Sequence, residues 1–488
     1  MRVGKINEST AQGQSVSAAL PIGTRPSPEN RLGEVSWALF EWARNPYYIL
    51  MVIYIFGPYF STEVIGDPVR GQAIWGYING FAGIVTASMA PLLGAIADKV
   101  GRRKPWIGAF VMIMVPAIAL LWYAVPGEAG VGIATVALAL TLAGTGSAFS
   151  EVFHNAMLPS IVPYPRIGAL SGLGLSLGNA GALIILVAML FMFSLPATGL
   201  FSWSFLPQAP LFGLDVSRFE HVRISALICS AWLLIFSLPL FLFTPDHAAV
   251  KLPARNAIRQ GLGDVLRTLR QLGHYRNIAV YLAARMLFND GKVAIMTFSM
   301  IYASGVFGWG GAERLLAGIL LSVFAVFGGL IGGWLDDVIG SRKTLLITIA
   351  GNSVALLAAV SITPDTLFFI HLQGLGDPVW GSPFFSTLPE LLYLGISILF
   401  ALFITSAYAN SRTLLARIAP ETEMTKFFGI YALSGQVTTF IAPILVAFVT
   451  VWFESQRAGF ASILLLLVGG LVLLWFVSEE RAQPAPEN

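Results

Sequence analysis

Twelve long apolar stretches constrain the fold of this chain more than any other feature. A helix that crosses a lipid bilayer needs about 20 mostly apolar residues. The stretches cover residues 35–60, 72–97, 105–125, 131–156, 167–194, 222–244, 277–305, 313–335, 344–361, 389–412, 425–452 and 457–477. Only 11% of the residues are charged, against about 25% in soluble domains. The chain is therefore predicted to be an all-α, multi-pass membrane protein.

The positive charges are sorted between the loops that join these spans. If the amino terminus lies inside, 21 of the 29 Lys and Arg residues fall in interior segments and 5 in exterior segments. Short cytoplasmic loops of membrane proteins collect Lys and Arg, so both termini are predicted to be cytoplasmic. We expect the protein in a bacterial cytoplasmic (inner) membrane. The same sorting accounts for the net charge of +3 without a nucleic-acid partner.

The chain contains two copies of one unit, because Leu39–Arg44 recurs as Leu287–Lys292. We predict a disordered cytoplasmic tail (1–33), an N-terminal six-helix bundle (34–245), a cytoplasmic linker (246–276), a C-terminal six-helix bundle (277–478) and a second cytoplasmic tail (479–488). Apolar residues recur in the linker at helical spacing among arginines. This pattern favours an amphipathic helix at the membrane face, although the segment could serve only as a connection.

Glycines four residues apart occur in spans five and eight. The pairs are Gly168/Gly172, Gly174/Gly178, Gly328/Gly332 and Gly329/Gly333. Small residues at this spacing let helix backbones approach closely, so we expect all four pairs to lie at helix contacts.

Polar and charged side chains interrupt four of the spans and are the candidate functional residues. A charge at the bilayer centre costs on the order of 3 kcal/mol or more, so such residues usually face a bundle interior and serve a function. They are Glu41, Arg44 and Asn45 in span one, Glu151, His154 and Asn155 in span four, Arg285, Asn289, Asp290 and Lys292 in span seven, and Asn410 and Arg412 in span ten.

Helical spacing indicates how some of these charges are arranged. Glu41 and Arg44 are three residues apart and share a helix face, whereas Asp290 and Lys292 point in different directions. We therefore expect pairs between the two halves, Glu41 with Lys292 and Asp290 with Arg44 or Arg285. The alternative is that the ion pairs only fix helix packing.

Two further features of these spans bear on mechanism. Glu151 and His154 are also three residues apart, and a carboxylate and an imidazole in low dielectric can titrate near neutral pH. Pro46 should break the first helix locally and free backbone carbonyls to line a cavity.

Two loops carry a common motif. Its residues are Gly94, Asp98, Gly101, Arg102 and Arg103 after span two, and Asp337, Gly340 and Arg342 after span eight. The motif resembles the inner-loop signature of the major facilitator superfamily, G-x-x-x-D-x-x-G-R-R-K. This resemblance implies a major facilitator fold with 12 transmembrane helices in two pseudo-symmetric halves. An Asp that pairs with a cationic loop or a helix end in one conformer would act as a conformational latch. The alternative is that the basic residues of the motif serve only to set the membrane topology.

Four segments restrict the resemblance to one family within this superfamily. Glu41-Trp42-Ala43 followed by Tyr47 is similar to D-W-A-N-x-x-Y, and Ala284–Gly291 resembles A-R-M-L-Y-N-D-G. Phe153–Pro159 is similar to F-Y-N-A-x-L-P, and Phe427–Gly435 resembles F-F-G-L-Y-A-L-S-G. These patterns are those of the vacuole-effluxer-like family, related to the autophagy-associated vacuolar amino-acid exporter. The resemblance implies a solute exporter, with amino acids as the best-known substrate class.

The chain departs from the family pattern at four charged or polar positions. Glu41 replaces an Asp, Arg44 stands where the family has Asn, His154 replaces a Tyr, and Lys292 is an added cation. The extra cations favour a substrate with a carboxylate or another anionic group.

The resemblance also implies that spans one, four, seven and ten line a central cavity. The expected function is secondary active transport of a small carboxylate-bearing or anionic, amino-acid-like solute by alternating access, coupled to protons. The predicted substrate-binding residues are Arg44, Asn45, Tyr47, His154, Asn155, Arg285, Asn289, Lys292, Asn410 and Arg412. The predicted carriers of the coupling proton are Glu41, Glu151 and Asp290.

Other classes are weighed against this one. A lipid or amphiphile exporter on the same fold would use Tyr47, Tyr48 and Tyr54 to line a lateral path, and a non-transporting receptor is a third possibility. No nucleophile elbow, P-loop or zinc spacing occurs in the sequence, so an enzyme is not expected. The single cysteine, Cys229, argues against a disulfide framework or a Cys-ligated metal site. We expect no cofactor or metal, membrane lipids and protons as partners, and a monomer.

Overall fold

A computed structural model describes residues 28–99, 102–127, 130–162, 166–201, 203–246, 273–420 and 424–480. The predicted amphipathic helix of the linker lies outside these residues, as does most of each predicted tail. One tail boundary needs correction, because the first helix begins at Pro28, inside the predicted N-terminal tail. Glu479, the first residue of the predicted C-terminal tail, contacts Arg417 and the backbone of Ser341.

The described residues of the N-terminal half form six long helical segments. They are α1 (Pro28–Pro46), α2 (Pro68–Lys99), α3 (Lys104–Leu120), α4 (Ile133–Ile161), α5 (Ile167–Met189) and α6 (Glu220–Phe243). α1 continues through π-helical turns over Tyr47–Tyr54, a short helix over Phe56–Tyr59 and further π-helical turns over Phe60–Val64. Pro46 therefore changes the helix type rather than ending the segment.

The C-terminal half repeats the arrangement. It contains α7 (Arg276–Phe307), α8 (Gly311–Ile339), α9 (Ser341–Val360), α10 (Leu388–Ile418), α11 (Met424–Val437), α12 (Ile441–Phe453), α13 (Gln456–Ala461) and α14 (Ile463–Trp475). The eleventh predicted span is α11 plus α12, and the twelfth is α13 plus α14. A short hairpin, β1 (Thr366–Leu367) and β2 (Ile370–His371), lies between α9 and α10.

Ten helical segments in the described parts of the chain are long and apolar enough to cross a membrane. The two long helices that fall outside this set are α1 and α7, which carry the charges predicted for spans one and seven. Those charges lower the hydropathy of the two helices without shortening them. The α7 helix has 32 residues, more than the about 20 that a bilayer requires.

Each half contains an equivalent contact between a carboxylate and the start of one of its own helices. At the start of α3, the backbone N–H groups of Arg103 and Lys104 donate to the Asp246 carboxylate at 3.0 and 3.2 Å. At the start of α9, the N–H groups of Ser341 and Arg342 donate to Glu479 at 3.0 and 3.3 Å. Each carboxylate follows the last helix of its half. A carboxylate at a helix start accepts hydrogen bonds from the free N–H groups and interacts favourably with the helix dipole. The same kind of capping contact therefore stabilises each half.

Glycines bring α1 close to α5. A Cβ on Gly178 would lie 3.2 Å from the Glu41 carbonyl oxygen, and one on Gly181 would lie 3.0 Å from the Trp42 ring. The Gly174/Gly178 and Gly328/Gly332 pairs therefore lie at helix contacts, as expected. The expectation was wrong for Gly168, Gly172 and Gly333, which have no described neighbour within 4 Å of a built Cβ, whereas a Cβ on Gly329 would lie 3.7 Å from Thr405 Cγ2.

The contacts that we identify between the halves lie toward one end of the bundle. We call it the outer end, opposite the inner end that carries Arg102–Lys104 and Ser341. Gln72 of α2 donates to Thr450 Oγ1 at 2.8 Å and to the Gln456 carbonyl at 3.0 Å. Further toward the middle, Gly76 packs on α12. The halves are thus joined at the outer end.

We expect Gly76→Ala to destabilise this junction. The added Cβ would lie 2.7 Å from the Pro443 carbonyl oxygen and 2.8 Å from Ala447 Cβ, so a helix must move. Overpacking of this kind costs about 1–3 kcal/mol, which should lower the midpoint of thermal unfolding in detergent. Gly395→Ala is the control, since Gly395 is helical with open space around its Cβ. Equal midpoints for the two variants would contradict close packing at Gly76.

Candidate functional site

One cluster of charged side chains lies between α1 and α4. The Arg44 guanidinium donates to Glu41 at 2.8 and 3.1 Å and to Glu151 at 3.1 Å. Ser147 Oγ lies 3.5 Å from the same guanidinium. Arg44 was predicted to bind substrate, but two carboxylates already neutralise its charge. Its guanidinium is therefore not free to bind an anion.

His154 extends this cluster into the protein interior. Its ring is fully buried and stacks on Trp37, with ring centroids 4.2 Å apart and planes inclined by 11°. Nδ1 lies 3.3 Å from Glu41 Oε1, and Nε2 lies 2.9 Å from the Trp37 carbonyl oxygen. The Trp37 indole N–H donates in turn to the His154 carbonyl at 3.0 Å. These contacts hold His154 as part of the Glu41 environment, not as a side chain facing open space.

In the C-terminal half, Lys292 of α7 is a buried basic side chain. Its side chain is fully buried, and Nζ has no hydrogen-bond partner among the described residues. Nζ lies 3.8 Å from the centre of the Tyr408 ring and 5.4 Å from that of Phe288. The charged groups acting on it are Arg285 and Arg412, both cationic. The fold therefore surrounds Lys292 with aromatic faces and positive charge.

The other two buried charges of α7, Arg285 and Asp290, have partners within their own half. Arg285 donates to the Tyr431 carbonyl at 2.7 Å and to Ser434 Oγ at 2.6 Å, and its guanidinium lies 3.5 Å above the Tyr431 ring. Asp290 accepts from the Ala442 N–H at 2.9 Å and so caps α12. The expected pairs between halves, Glu41 with Lys292 and Asp290 with Arg44 or Arg285, are wrong for this conformation. Partners within each half take their place: Glu41 contacts Arg44 and His154, whereas Arg285 and Asp290 use the backbone and ring groups described above.

The neutral candidates divide into packed and exposed side chains. Asn410 is buried and donates to the Gly332 carbonyl at 3.1 Å, and Tyr47 is buried beside Gly144. Asn45 donates to Asn179 at 3.2 Å. Asn155 is exposed, and Asn289 is half-buried. Of this set, Asn155 and Asn289 are the better placed to meet a solute.

Partly exposed side chains lie next to both clusters. Glu151 has 39% of its side chain exposed, and Arg412 is exposed on α10. Tyr408 is 38% exposed and lies within electrostatic range of both Glu151 and Tyr48 in the opposite half. Partly exposed side chains of the two halves, Glu151 and Tyr408, therefore lie near each other. Sequence reasoning missed Tyr408, although it precedes Arg412 by four residues and so shares its helix face.

At the inner end, a second charge network joins α8 to α10. Arg417 pairs with Asp336 at 2.9 Å and with Glu479 at 2.9 Å, and Ser341 Oγ donates to Asp336. The predicted latch carboxylate was Asp337, which is exposed. The correction is Asp336, since one residue turns a helical side chain by about 100°. Arg417 was missed because it lies outside the loop motif.

Other latch residues are described less fully. Arg342 donates to the Trp475 carbonyl at 2.5 Å, and Gly340 has a φ of 88°, a conformation that favours glycine. Arg102 lines a surface cavity with Lys104, Phe241 and Asp246. Gly101 and the surroundings of Gly94 and Asp98 lie outside the described structure, so their roles stay predictions.

Comparisons with known proteins agree with this architecture. The family model described as "Vacuole effluxer Atg22 like" matches residues 61–486. The chain belongs to this family. An uncharacterised transporter of the major facilitator type from Bacillus subtilis, YxiO, is 25% identical over 92% of this chain and 95% of its own length. Autophagy-related protein 22 of Yarrowia lipolytica is 22% identical over 71% of this chain and 57% of its own length.

A solved structure shows the same fold. The crystal structure of a D-xylose-proton symporter superposes with a TM-score of 0.62 at 12% identity, covering 92% of this chain and 97% of the symporter chain. The chain is therefore a helical, multi-pass membrane transporter with the major facilitator fold. At 12% identity, this similarity is evidence for the fold but not for the substrate.

We expect Asp336→Asn to destabilise the inner end of the C-terminal half. The change removes the ion pair with Arg417 and the charged acceptor of the Ser341 hydroxyl, at a cost of about 1–3 kcal/mol. Thermal unfolding in detergent should detect it. Asp337→Asn is the matched control on the neighbouring, exposed residue and should change stability by about 0.5 kcal/mol or less. The opposite order of the two effects would restore Asp337 as the latch carboxylate.

Proposed function

We propose that this transporter carries small zwitterionic, amino-acid-like solutes whose carboxylate binds near Lys292. The observation that carries the proposal is the fully buried Lys292 amino group, which lacks an anionic or hydrogen-bonding partner among the described residues. Burying an unpaired charge is costly, and removing the partner of a buried charge costs about 3–5 kcal/mol. A substrate carboxylate would supply the missing anion.

Tyr408 explains how Lys292 is tolerated before a substrate arrives. A cation above an aromatic face gains about 0.5–2 kcal/mol, and Nζ lies 3.8 Å from the Tyr408 ring centre. That gain is smaller than the contribution of a hydrogen-bonded carboxylate. The partly exposed ring also separates Lys292 from the open space, so it must move for an anion to reach Nζ. Arg412, exposed on the same helix face, would attract the anion first.

The opposite wall suits an ammonium group. Glu41 and Glu151 supply two carboxylates to one guanidinium, that of Arg44, and Glu151 is the more exposed of the two. The wall of the N-terminal half thus has excess negative charge, whereas Lys292, Arg285 and Arg412 make the other wall positive. An amino acid has both charges and would bridge the walls. Asn155 and Asn289 would add neutral hydrogen bonds.

The contacts between the halves support alternating access. The outer ends meet through Gln72 and Gly76, while polar side chains are exposed nearer the inner end. Transporters of this architecture rock one half against the other around a site near the membrane midplane. With the topology predicted from Lys and Arg, this arrangement supports a site that opens to the cytoplasm. We propose a monomer in a bacterial cytoplasmic membrane, moving its solute outward.

The packing gives no support to the alternative of a lipid or amphiphile exporter. Tyr47 and Tyr54, which were expected to line a lateral path, are buried. Tyr54 packs on Gly318 of α8, and the Tyr48 hydroxyl lies 3.4 Å from Thr297 Oγ1. Competition by lysolipids, but not by amino acids, in the transport assay below would favour that alternative.

We expect Lys292→Met to weaken substrate binding strongly. A methionine keeps most of the side-chain volume and removes the charge. The loss of a charged hydrogen bond, worth about 1.5–3 kcal/mol, should raise the Kd at least about tenfold. A thermal-shift screen of the twenty proteinogenic amino acids selects the ligand, because a ligand that binds only the folded state stabilises it. Proteoliposome uptake of that ligand then measures transport.

Arg276→Met is the control for this variant. Arg276 begins the same helix and is exposed, so the change removes one positive charge without touching the proposed site. Its Kd and uptake should equal those of the wild type. Wild-type uptake by Lys292→Met would rule out the proposed carboxylate site.

A further inference from the structure

The two ring nitrogens of His154 face different oxygen acceptors. Nε2 lies 2.9 Å from the Trp37 carbonyl oxygen. A carbonyl oxygen can only accept a hydrogen bond, so Nε2 must carry a hydrogen. In a neutral imidazole the other nitrogen is then a bare acceptor. The Trp37 contact therefore fixes the tautomer of neutral His154.

Nδ1 faces the Glu41 carboxylate, which is also an acceptor when ionised. The two atoms are 3.3 Å apart. Nδ1 is buried and has no aligned hydrogen-bond partner among the described residues. Two lone pairs held this close in a low dielectric repel each other, and one proton between them removes the repulsion. The proton makes either an imidazolium or a protonated carboxyl group.

This proton determines the net charge of the cluster. With ionised Glu41 and Glu151, cationic Arg44 and neutral His154, the net charge is −1. One added proton makes the cluster neutral. The ammonium group of a zwitterionic substrate would also make it neutral. An uncompensated charge is costly in a membrane interior. Either the proton or the substrate ammonium group should therefore be bound when the site changes its access from one side of the membrane to the other.

We propose that Glu41 and His154 hold one exchangeable proton. This proton competes with the ammonium group of the substrate for the cluster. The protein therefore exchanges substrate for a proton across the membrane. The inference rests on the proposed function, since it needs a substrate with an ammonium group. The balance is one proton released to water for each ammonium group bound. Glu41 has 15% of its side chain exposed, whereas His154 has none, so the proton reaches water through Glu41.

The helices around the pair bring a small set of titratable groups. On α1 itself Glu41 faces Arg44, and α4 contributes His154 and Glu151. Among the described contacts of Glu41, α5 offers the backbones of Gly174 and Gly178. His154 is otherwise flanked by Trp37 and Phe40. From the opposite half, Tyr408 acts on Glu151. The exchange therefore depends on Glu41, His154, Arg44 and Glu151.

The first test uses the ligand-free protein. The chain has 5 histidines, and nuclear magnetic resonance of 15N-histidine protein identifies the His154 signals by their loss in His154→Gln. At neutral pH we expect either an imidazolium at His154 or, in infrared spectra, a protonated carboxyl band that Glu41→Gln removes. If neither signal is found at neutral pH, the shared proton is overturned. His371→Gln, on the exposed hairpin, is the control and should change neither.

The second test uses the amino acid that stabilises the wild type most. Competition with one proton predicts that the Kd falls about tenfold for each unit of rising pH below the transition. Proteoliposomes with an acidic interior should accumulate the amino acid, since protons leave as it enters. A pH-independent Kd, or accumulation driven by an acidic exterior, overturns the exchange.

His154→Gln separates the exchange from a structural role. It removes the imidazole lone pair that the shared proton neutralises and keeps the net charge of −1, so Glu41 should stay ionised and the Kd should no longer vary with pH. The pH gradient should no longer drive accumulation, although labelled amino acid should still exchange for unlabelled. Persistence of the wild-type pH dependence contradicts the proposal. If no amino acid binds the wild type at all, the proposed function fails, while the spectroscopic test of the shared proton still stands.

Discussion

The structure depends on how a mostly apolar bundle keeps charged groups away from lipid. Each buried charge must have a partner, because unpaired charge is costly in a low-dielectric interior. The N-terminal half satisfies this with the Glu41–Arg44–Glu151–His154 cluster, and Asp290 satisfies it by capping α12. Lys292 lacks such a partner among the described residues. That asymmetry distinguishes the site from charge pairs that only hold helices together.

The two halves of the molecule use equivalent structural contacts and different functional ones. Asp246 and Glu479 cap corresponding helices, which is what a duplicated unit should keep. At the centre, the equivalent positions Arg44 and Lys292 have diverged. The first is neutralised by carboxylates and the second is covered by Tyr408. A substrate with two opposite charges matches this divergence better than a substrate with one.

Much of the fold could be predicted from the sequence, because the length and hydropathy of a span are local properties. The predicted limits of span eight, 313–335, fall within Gly311–Ile339, and the other spans agree similarly. Side-chain pairing could not be predicted, because it depends on how each helix is rotated about its axis. One residue is a turn of about 100°, and this difference separates the paired Asp336 from the exposed Asp337. The cap on α12 by Asp290 was also out of reach, since it requires knowing where the eleventh span breaks.

The central claim is that one wall of the site binds a carboxylate and the other an ammonium group. The most direct measurement compares the Kd of the preferred amino acid with those of its N-acetyl and amide derivatives, which lack one charge each. The account predicts that both derivatives bind at least about tenfold more weakly, since each loses a charged contact worth about 1.5–3 kcal/mol. A derivative that binds as tightly as the free amino acid would contradict it.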